Sequence, residues 1–228
     1  MERKRAWLSW STGKDSAWCL EMVRRQGDYE VEALTTTVNA EYNRVAMHAV
    51  RESLLQAQAE RAGLPLVTIP IPSPCPNAAY ERAMTAVIEK ARAEGITHMI
   101  FGDLFLEDIR RYRENQLSGT GITPVFPLWG LDTGRLASQM LNAGVRAVLT
   151  CIDPKKLDPS FAGRQFDVEL LADLPDKVDP CGENGEFHTF AWCGPMFKAP
   201  IEIKCGAVVE RGGFVFADIL PTQRVQHL

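Results

Sequence analysis

The chain has 228 residues, 46% of them hydrophobic and 24% charged, and a net charge of −4. That is enough for one large domain, or for a domain with a smaller second lobe, and it gives no overall basic footprint for nucleic acid. No apolar run approaches the roughly 18 residues of a membrane span. The apolar stretch at 6–10, behind the charged start Met1-Glu2-Arg3-Lys4-Arg5, is too short for a signal-peptide core, so a cytoplasmic protein with no membrane partner is expected. The six cysteines (Cys19, Cys75, Cys151, Cys181, Cys193 and Cys205) contain no C-x-x-C pair. Such scatter fits reduced thiols better than a disulfide framework or a structural zinc site, and no metal ligand set is assigned.

In chain order, residues 6–10 read as a short strand, followed by a polar turn and a helix over about 15–25. The β-branched run 31–38 reads as a second strand. Helical spacing resumes over about 45–62, where Val50, Leu54, Leu55 and Ala59 share a face and Gly63 stands where a helix should stop. A third strand at 66–71 runs into the proline-rich stretch 70–76. A helix at 80–93 precedes Gly95, and a fourth strand at 97–101 carries Gly102-Asp103 at its carboxyl end. This alternation predicts an α/β fold, a doubly wound parallel sheet with helices on both faces. Ligands of such sheets bind beyond the carboxyl ends of the strands, so the residues after Trp10, after Val38 and at Gly102-Asp103 should line one crevice.

A boundary near Pro127 divides the chain into 1–127 and 128–228. The second part reads as a smaller α+β lobe, with a helix at 131–143, a strand at 147–152 and an acidic, loop-rich region. Strands at 187–192, 201–209 and 214–220 follow, the last two joined by Glu210-Arg211-Gly212-Gly213 as a hairpin connection. Between Asp167 and Glu186 stand seven acids and one base, Lys177. Most such runs are solvated surface, but this one ends in a motif.

Two segments carry the chemistry. The first is Ser11-Thr12-Gly13-Lys14-Asp15-Ser16, between the first strand and the first helix. A hydroxyl-rich turn there sets N–H groups and hydroxyls at the positive end of a helix, the ingredients for holding phosphate, and Lys14 adds a charge. The P-loop spacing fails, because Leu8 and Asp15 stand where it needs Gly and Ser or Thr, and G-x-G-x-x-G fails because Gly13 stands alone. The competing reading is an ordinary helix cap made by Ser11 or Asp15. The segment resembles the Ser-Gly-Gly-x-Asp-Ser signature of PP-loop ATP pyrophosphatases, with Thr12 replacing the first Gly. Thr disfavours positive φ, so either that position has ordinary backbone geometry or phosphate binding is altered.

The second segment is Cys181-Gly182-Glu183-Asn184-Gly185-Glu186-Phe187-His188-Thr189-Phe190, followed by Gly194-Pro195-Met196-Phe197. With the first, it resembles the diphthine–ammonia ligase family of PP-loop enzymes over nearly the whole chain, including His48, Gly102-Asp103 and Pro127-Leu128-Trp129. The resemblance implies a nucleotide lobe of the adenine-nucleotide α-hydrolase type and a C-terminal lobe that shapes the substrate site. It implies an ATP-dependent ligase, in which ATP with Mg²⁺ adenylates a carboxyl group and ammonia or ammonium then displaces AMP. Its acyl partner would be a modified side chain of an elongation factor, or a small cationic carboxylate. The chain departs from the family after the fourth strand: Leu106-Glu107-Asp108-Ile109-Arg110-Arg111-Tyr112-Arg113-Glu114 stands where relatives tend to carry Ser-Asp-Tyr-Gln-Arg, with Arg110 and Glu114 as possible matches.

On this reading Ser11, Thr12, Gly13, Lys14, Asp15 and Ser16 bind the nucleotide, joined by His48 and Gly102. Asp15 either helps hold Mg²⁺ or only caps the helix, and His48 and Asp103 each have a bland alternative, in capping or in a turn. Lys14, Asp15, Asp103, Glu183, Glu186 and His188 form the catalytic set. The last three could ligate a metal, supply acid–base groups or tie the lobes together, and the family resemblance favours carboxylates of a substrate site. If the segment is a strand, Glu186 and His188 share a face opposite Phe187 and Thr189. Glu183 and Glu186 beside Phe187, Phe190 and Trp192 suggest a lobe that selects a cationic substrate, against the alternative that the aromatics are core. Two other classes stay open: a PP-loop enzyme with a different substrate, and a nucleotide-binding sensor that no longer turns over.

Overall fold

The computed structural model describes residues 2–41, 44–45 and 49–222. The chain opens with β1 (Lys4–Ser9), α1 (Lys14–Gln26) and β2 (Tyr29–Asn39), then β3 (Arg44–Val45), α2 (Glu52–Ala62), β4 (Leu66–Ile71), α3 (Asn77–Ala93) and β5 (His98–Ile100). It continues through α4 (Glu107–Leu117), β6 (Thr123–Val125), α5 (Thr133–Asn142), β7 (Arg146–Ile152), a 3-10 turn (Pro159–Phe161), β8 (Gln165–Phe166) and α6 (Val168–Asp173). It closes with β9 (Phe187–Cys193), β10 (Ile203–Arg211) and β11 (Phe214–Pro221).

The first sheet has the parallel order β4-β2-β1-β5-β6. Beyond the end of β1 the short β3 runs antiparallel to β2, pairing Val45 with Val38. The order reverses between β1 and β5, so the crevice of this doubly wound sheet opens where the two strands end side by side. Leu8 and Ile100 are partners there and both are fully buried. The second sheet is antiparallel, with order β10-β11-β7-β8 and with β9 also paired to β7. Gly212 and Gly213, with φ of 60° and 80°, make the turn between β10 and β11, a backbone that glycine adopts without steric cost. One apolar cluster runs from Leu8 and Leu20 of the first lobe to Val148 and Phe190 of the second, so the lobes share a core.

The helix expected from residue 45 begins only at Glu52. Val45 is committed to β3, its N–H donates to the Val50 carbonyl, and Ala49 has φ 53°, which no right-handed helix contains. His48 lies outside the described residues. The structure adds α4, α6, β6 and β8, which periodicity did not announce. Only Leu117 of α4 is buried, and β6 contains Pro124, tolerable because the strand is an edge. Among the described residues no helix is long and apolar enough to cross a membrane.

The acidic run is largely turn chemistry. Asp167 caps α6 by accepting from Leu170 N, and Asp173 pairs with Arg164. Asp179 accepts from the N–H groups of Cys181 and Glu183 and from the Thr133 hydroxyl at 2.6 Å. These bonds shape the loop that carries Glu183 into the crevice.

Candidate active site

A cavity of about 600 Å³ lies over the ends of β1 and β5. Ser11, Lys14, Asp15 and Ser16 form its floor, and Gly102, Asp103 and Arg113 one side. Glu183, Phe187, His188 and Thr189 of the second lobe form another, and Ile69, Ile71, Met84 and Met99 make an apolar wall. Two motifs some 170 residues apart thus meet at one site.

The phosphate loop is not an ordinary side-chain cap. Gly13 is the N-cap residue and no side chain caps it. The Ser16 hydroxyl donates to the Gly13 carbonyl at 3.0 Å and lies 3.1 Å from the Ser11 hydroxyl, so the two serines brace the loop across its opening. The leading N–H groups of α1 have no partner within the helix and sum to a positive pole. Lys14 N donates to the Thr189 hydroxyl of β9 at 3.1 Å. Gly102 lies against this turn: a Cβ there would stand 3.2 Å from Ser16 N and 3.3 Å from the Asp15 carbonyl carbon. The sheet can approach the helix start only because that side chain is absent.

Thr12 does not have ordinary geometry. Its φ is 72°, in the left-handed region, and it is fully buried with its hydroxyl unpartnered. The glycine-like backbone of the signature is therefore kept with a β-branched residue in it. Its carbonyl accepts from Ala191 N of β9 and from Gln58 Nε2 of α2, both at 2.9 Å.

Lys14 is 1% exposed. Its ammonium bonds Asp15 at 3.0 Å, donates to the Cys181 carbonyl, and sits 5.2 and 5.3 Å from the ring centres of Phe166 and Phe187. Burial is the strongest single influence and works against that charge; Asp15, by charge and hydrogen bond, together with Cys181 and Asp179, outweighs it and holds the group protonated. The cation expected beside phosphate is thus the post on which the C-terminal loop docks. Asp15 Oδ1 is buried with no hydrogen-bond partner. Asp103 is held by Arg113 at 2.7 and 3.3 Å, and the guanidinium lies 4.5 Å from the Phe101 ring centre.

Glu183 reaches back to the first lobe, where its carboxylate accepts from Leu104 N at 2.7 Å. Burial pushes its pKa up to about 7, with Asp15 and Asp103 adding repulsion against the Leu104 hydrogen bond. Burial and the charges of Lys14 and Lys156 lower His188 to about 4, so its imidazole is neutral at pH 7. Glu186 does not line the cavity. It is 3% exposed, accepts from Asp179 N and Asn184 Nδ2, and braces the loop. The alternation expected of this segment does not hold, because Glu186 precedes β9 while Phe187, His188 and Thr189 all border the cavity. The aromatic cage also fails: Phe187 lies under Lys14, Phe190 is fully buried, and Trp192 Nε1 donates to Gln165. Phe187 and Phe190 are buried in the core, and Trp192 packs half-buried against it.

Among the described residues no group of three or more His, Cys, Asp or Glu has metal-site geometry. Mg²⁺ is commonly held by one or two carboxylates together with substrate phosphates. The orphaned Asp15 oxygen, with Asp103 in the same cavity, fits that mode.

Two family models match in tandem: the diphthamide synthase N-terminal domain over residues 4–122 and the diphthamide synthase C-terminal domain over residues 132–222. The chain belongs to the diphthamide synthase family. A protein of Bos taurus named diphthine–ammonia ligase is 27% identical over 92% of this chain and 86% of its own length. Proteins of that name from Danio rerio and Homo sapiens are 33% and 30% identical over 50% and 58% of this chain, and these matches span about half of each relative.

Residues 106–114, where the sequence reading expects a departure from the family pattern, contribute to the cavity rim. Leu106, Ile109 and Arg113 border the cavity, whereas Arg110 pairs with Glu114 at 2.8 Å and packs its guanidinium over Phe126 and Trp129. Sequence reasoning missed Arg113, Thr189 and Gln58. Arg113 had no distinguishing signal. Gln58 had one: it falls with Leu54, Leu55 and Ala62 on the buried face of α2, where a polar residue needs partners.

Proposed function

We propose that this chain is an ATP-dependent carbon–nitrogen ligase of the diphthine–ammonia ligase type. A substrate carboxylate oxygen attacks the α-phosphorus of ATP and pyrophosphate leaves. Ammonia then attacks the acyl carbon of the adenylate and AMP leaves, giving the amide. The observation that carries this reading is the convergence of the phosphate loop and the Glu183–His188 loop on one cavity, in a chain of this family.

The residues divide the work by their chemistry. The N–H groups that open α1 and the hydroxyls of Ser11 and Ser16 suit the phosphates, and Ile69, Ile71, Met84 and Met99 offer the base an apolar wall. Asp15 and Asp103 would hold Mg²⁺, which supplies charge neutralisation on the phosphates when bound. Glu183, at about 7, is matched to taking the proton released as nitrogen attacks and returning it near neutral pH. Neutral His188 can accept a hydrogen bond from the incoming ammonia. The acyl substrate is then diphthine on an elongation factor, met in the cytoplasm.

The test is product analysis with ATP labelled in the α-phosphate, in the presence of ammonium and the acyl substrate. AMP and pyrophosphate are expected, and Ser16→Ala should abolish them without loss of circular dichroism. ADP as the main product would overturn the assignment, and ATP bound but left intact would indicate a sensor.

A further inference from the structure

One of the two non-glycine residues with positive φ among the described residues lies inside the phosphate loop, and it is held from outside. Thr12, a β-branched residue, has φ 72°; its hydroxyl makes no hydrogen bond, so its own side chain gives no polar compensation for that backbone. A non-glycine residue persists in this region only where its surroundings over-determine it. The surroundings are specific. Gln58, fully buried, presents its carboxamide oxygen to the Trp10 indole N–H at 2.7 Å. Its nitrogen donates to the Thr12 carbonyl at 2.9 Å and to the Ala191 carbonyl at 2.6 Å. Indole can only donate and the carbonyls can only accept, so one orientation of the carboxamide satisfies all three partners and the flipped one satisfies none. Ala191 N supplies the second bond to the Thr12 carbonyl at 2.9 Å.

We propose that Gln58 is a positioning residue for the phosphate loop, holding Thr12 in the left-handed conformation that the loop needs to receive phosphate. Gln58 does not line the cavity and touches no reacting group; it acts through Thr12, and Trp10 orients it. The inference rests on the proposed ATP reading of the loop. Its consequence is a coupling. Where residue 12 is Thr, the left-handed backbone stands only while the clamp holds. Where residue 12 is Gly, that backbone carries no steric cost and the clamp is dispensable.

The experiment measures MgATP dissociation constants by calorimetry in four proteins: wild type, Gln58→Met, Thr12→Gly, and the double variant. With Thr at position 12, Gln58→Met should weaken binding about tenfold, equivalent to ~1.4 kcal/mol. With Gly there, the same substitution should cost less than about threefold, because the conformational preference it guarded is gone. Equal losses in the two backgrounds would show that Gln58 matters only as packing, and no loss with Thr12 present would show that it does not position the loop; either overturns the inference. Absence of MgATP binding by the wild type would instead sink the ATP reading, and this inference with it. Should Gln58→Met fail to fold, Gln58→Asn keeps a carboxamide at the site but, one methylene shorter, cannot span Trp10 and both carbonyls at once. The same two-background comparison then decides.

Discussion

Glu183 and His188 are perturbed in ways that act oppositely on stability, and a single substitution separates them. The carboxyl is raised from its ordinary 4.5 to about 7. Between those values the folded protein holds a proton that the unfolded chain has released, so stability falls as pH rises through the window. The imidazole is lowered from 6.5 to about 4. There the unfolded chain binds the extra proton, so stability falls as pH drops. At 1.36 kcal/mol per pH unit each gap is worth at most ~3.4 kcal/mol, or ~2–3 kcal/mol once solvent at these partly exposed groups is allowed for. The two contributions nearly cancel in the wild type between pH 4.5 and 6.5. Glu183→Gln keeps the acceptor for Leu104 N and removes only the ionisation. The variant should therefore gain ~2–3 kcal/mol from pH 4.5 to 6.5 relative to wild type and keep that gain at pH 8, a rise in Tm of about 5–10 °C. Thermal unfolding of both proteins across pH 4.5–8 is the assay. Turnover at pH 7 should be lost while MgATP affinity stays. Parallel stability curves for the two proteins would refute the reasoning, since they would mean that Glu183 does not titrate near 7.

Two further substitutions probe the site. Gly102→Ala places a methyl 3.2 Å from Ser16 N, against backbone that cannot swing aside; a loss of ~1–3 kcal/mol in stability and weaker MgATP binding are expected by urea unfolding and calorimetry, and unchanged values would remove the close-approach argument. Lys14→Met leaves both oxygens of Asp15 without a hydrogen-bond partner at a side chain still one-quarter exposed; it should cost ~1–3 kcal/mol by chemical denaturation, whereas an effect confined to ATP affinity would show that the ammonium serves phosphate alone.

Much of the fold was legible because the first sheet obeys local rules. β4 occupies the residues expected of the third strand, and α1 and α2 stop at Gly27 and Gly63, both in the left-handed conformation. α4 was not legible, because its polar surface carries almost no buried stripe to set a period. The phosphate loop was legible as a motif but not as a conformation. Local preference argues against positive φ at Thr12, and what overrides it is an amide 46 residues along the chain, together with an N–H from β9. Lys14 was legible only in part, for a similar reason. A lysine in a phosphate motif reads as a phosphate ligand, and only the docked Cys181 carbonyl reveals its other partner. Local signals fail where distant parts of the chain supply the partner.

That dependence has a consequence for the order in which the protein comes into being. The carbonyl of Thr12 and the N–H of Lys14 find partners in β9, and the ammonium of Lys14 finds one at Cys181. A nascent chain grows at about 5–20 residues per second, so the phosphate loop waits roughly ten seconds or more for the strand that completes it. Until then Gln58 alone can grip the loop, and the Ala191 carbonyl it also grips does not yet exist. A ribosome-bound first lobe should be a poor nucleotide binder however well its sheet has formed. The earliest-made residues of the site would then be among the last to become functional.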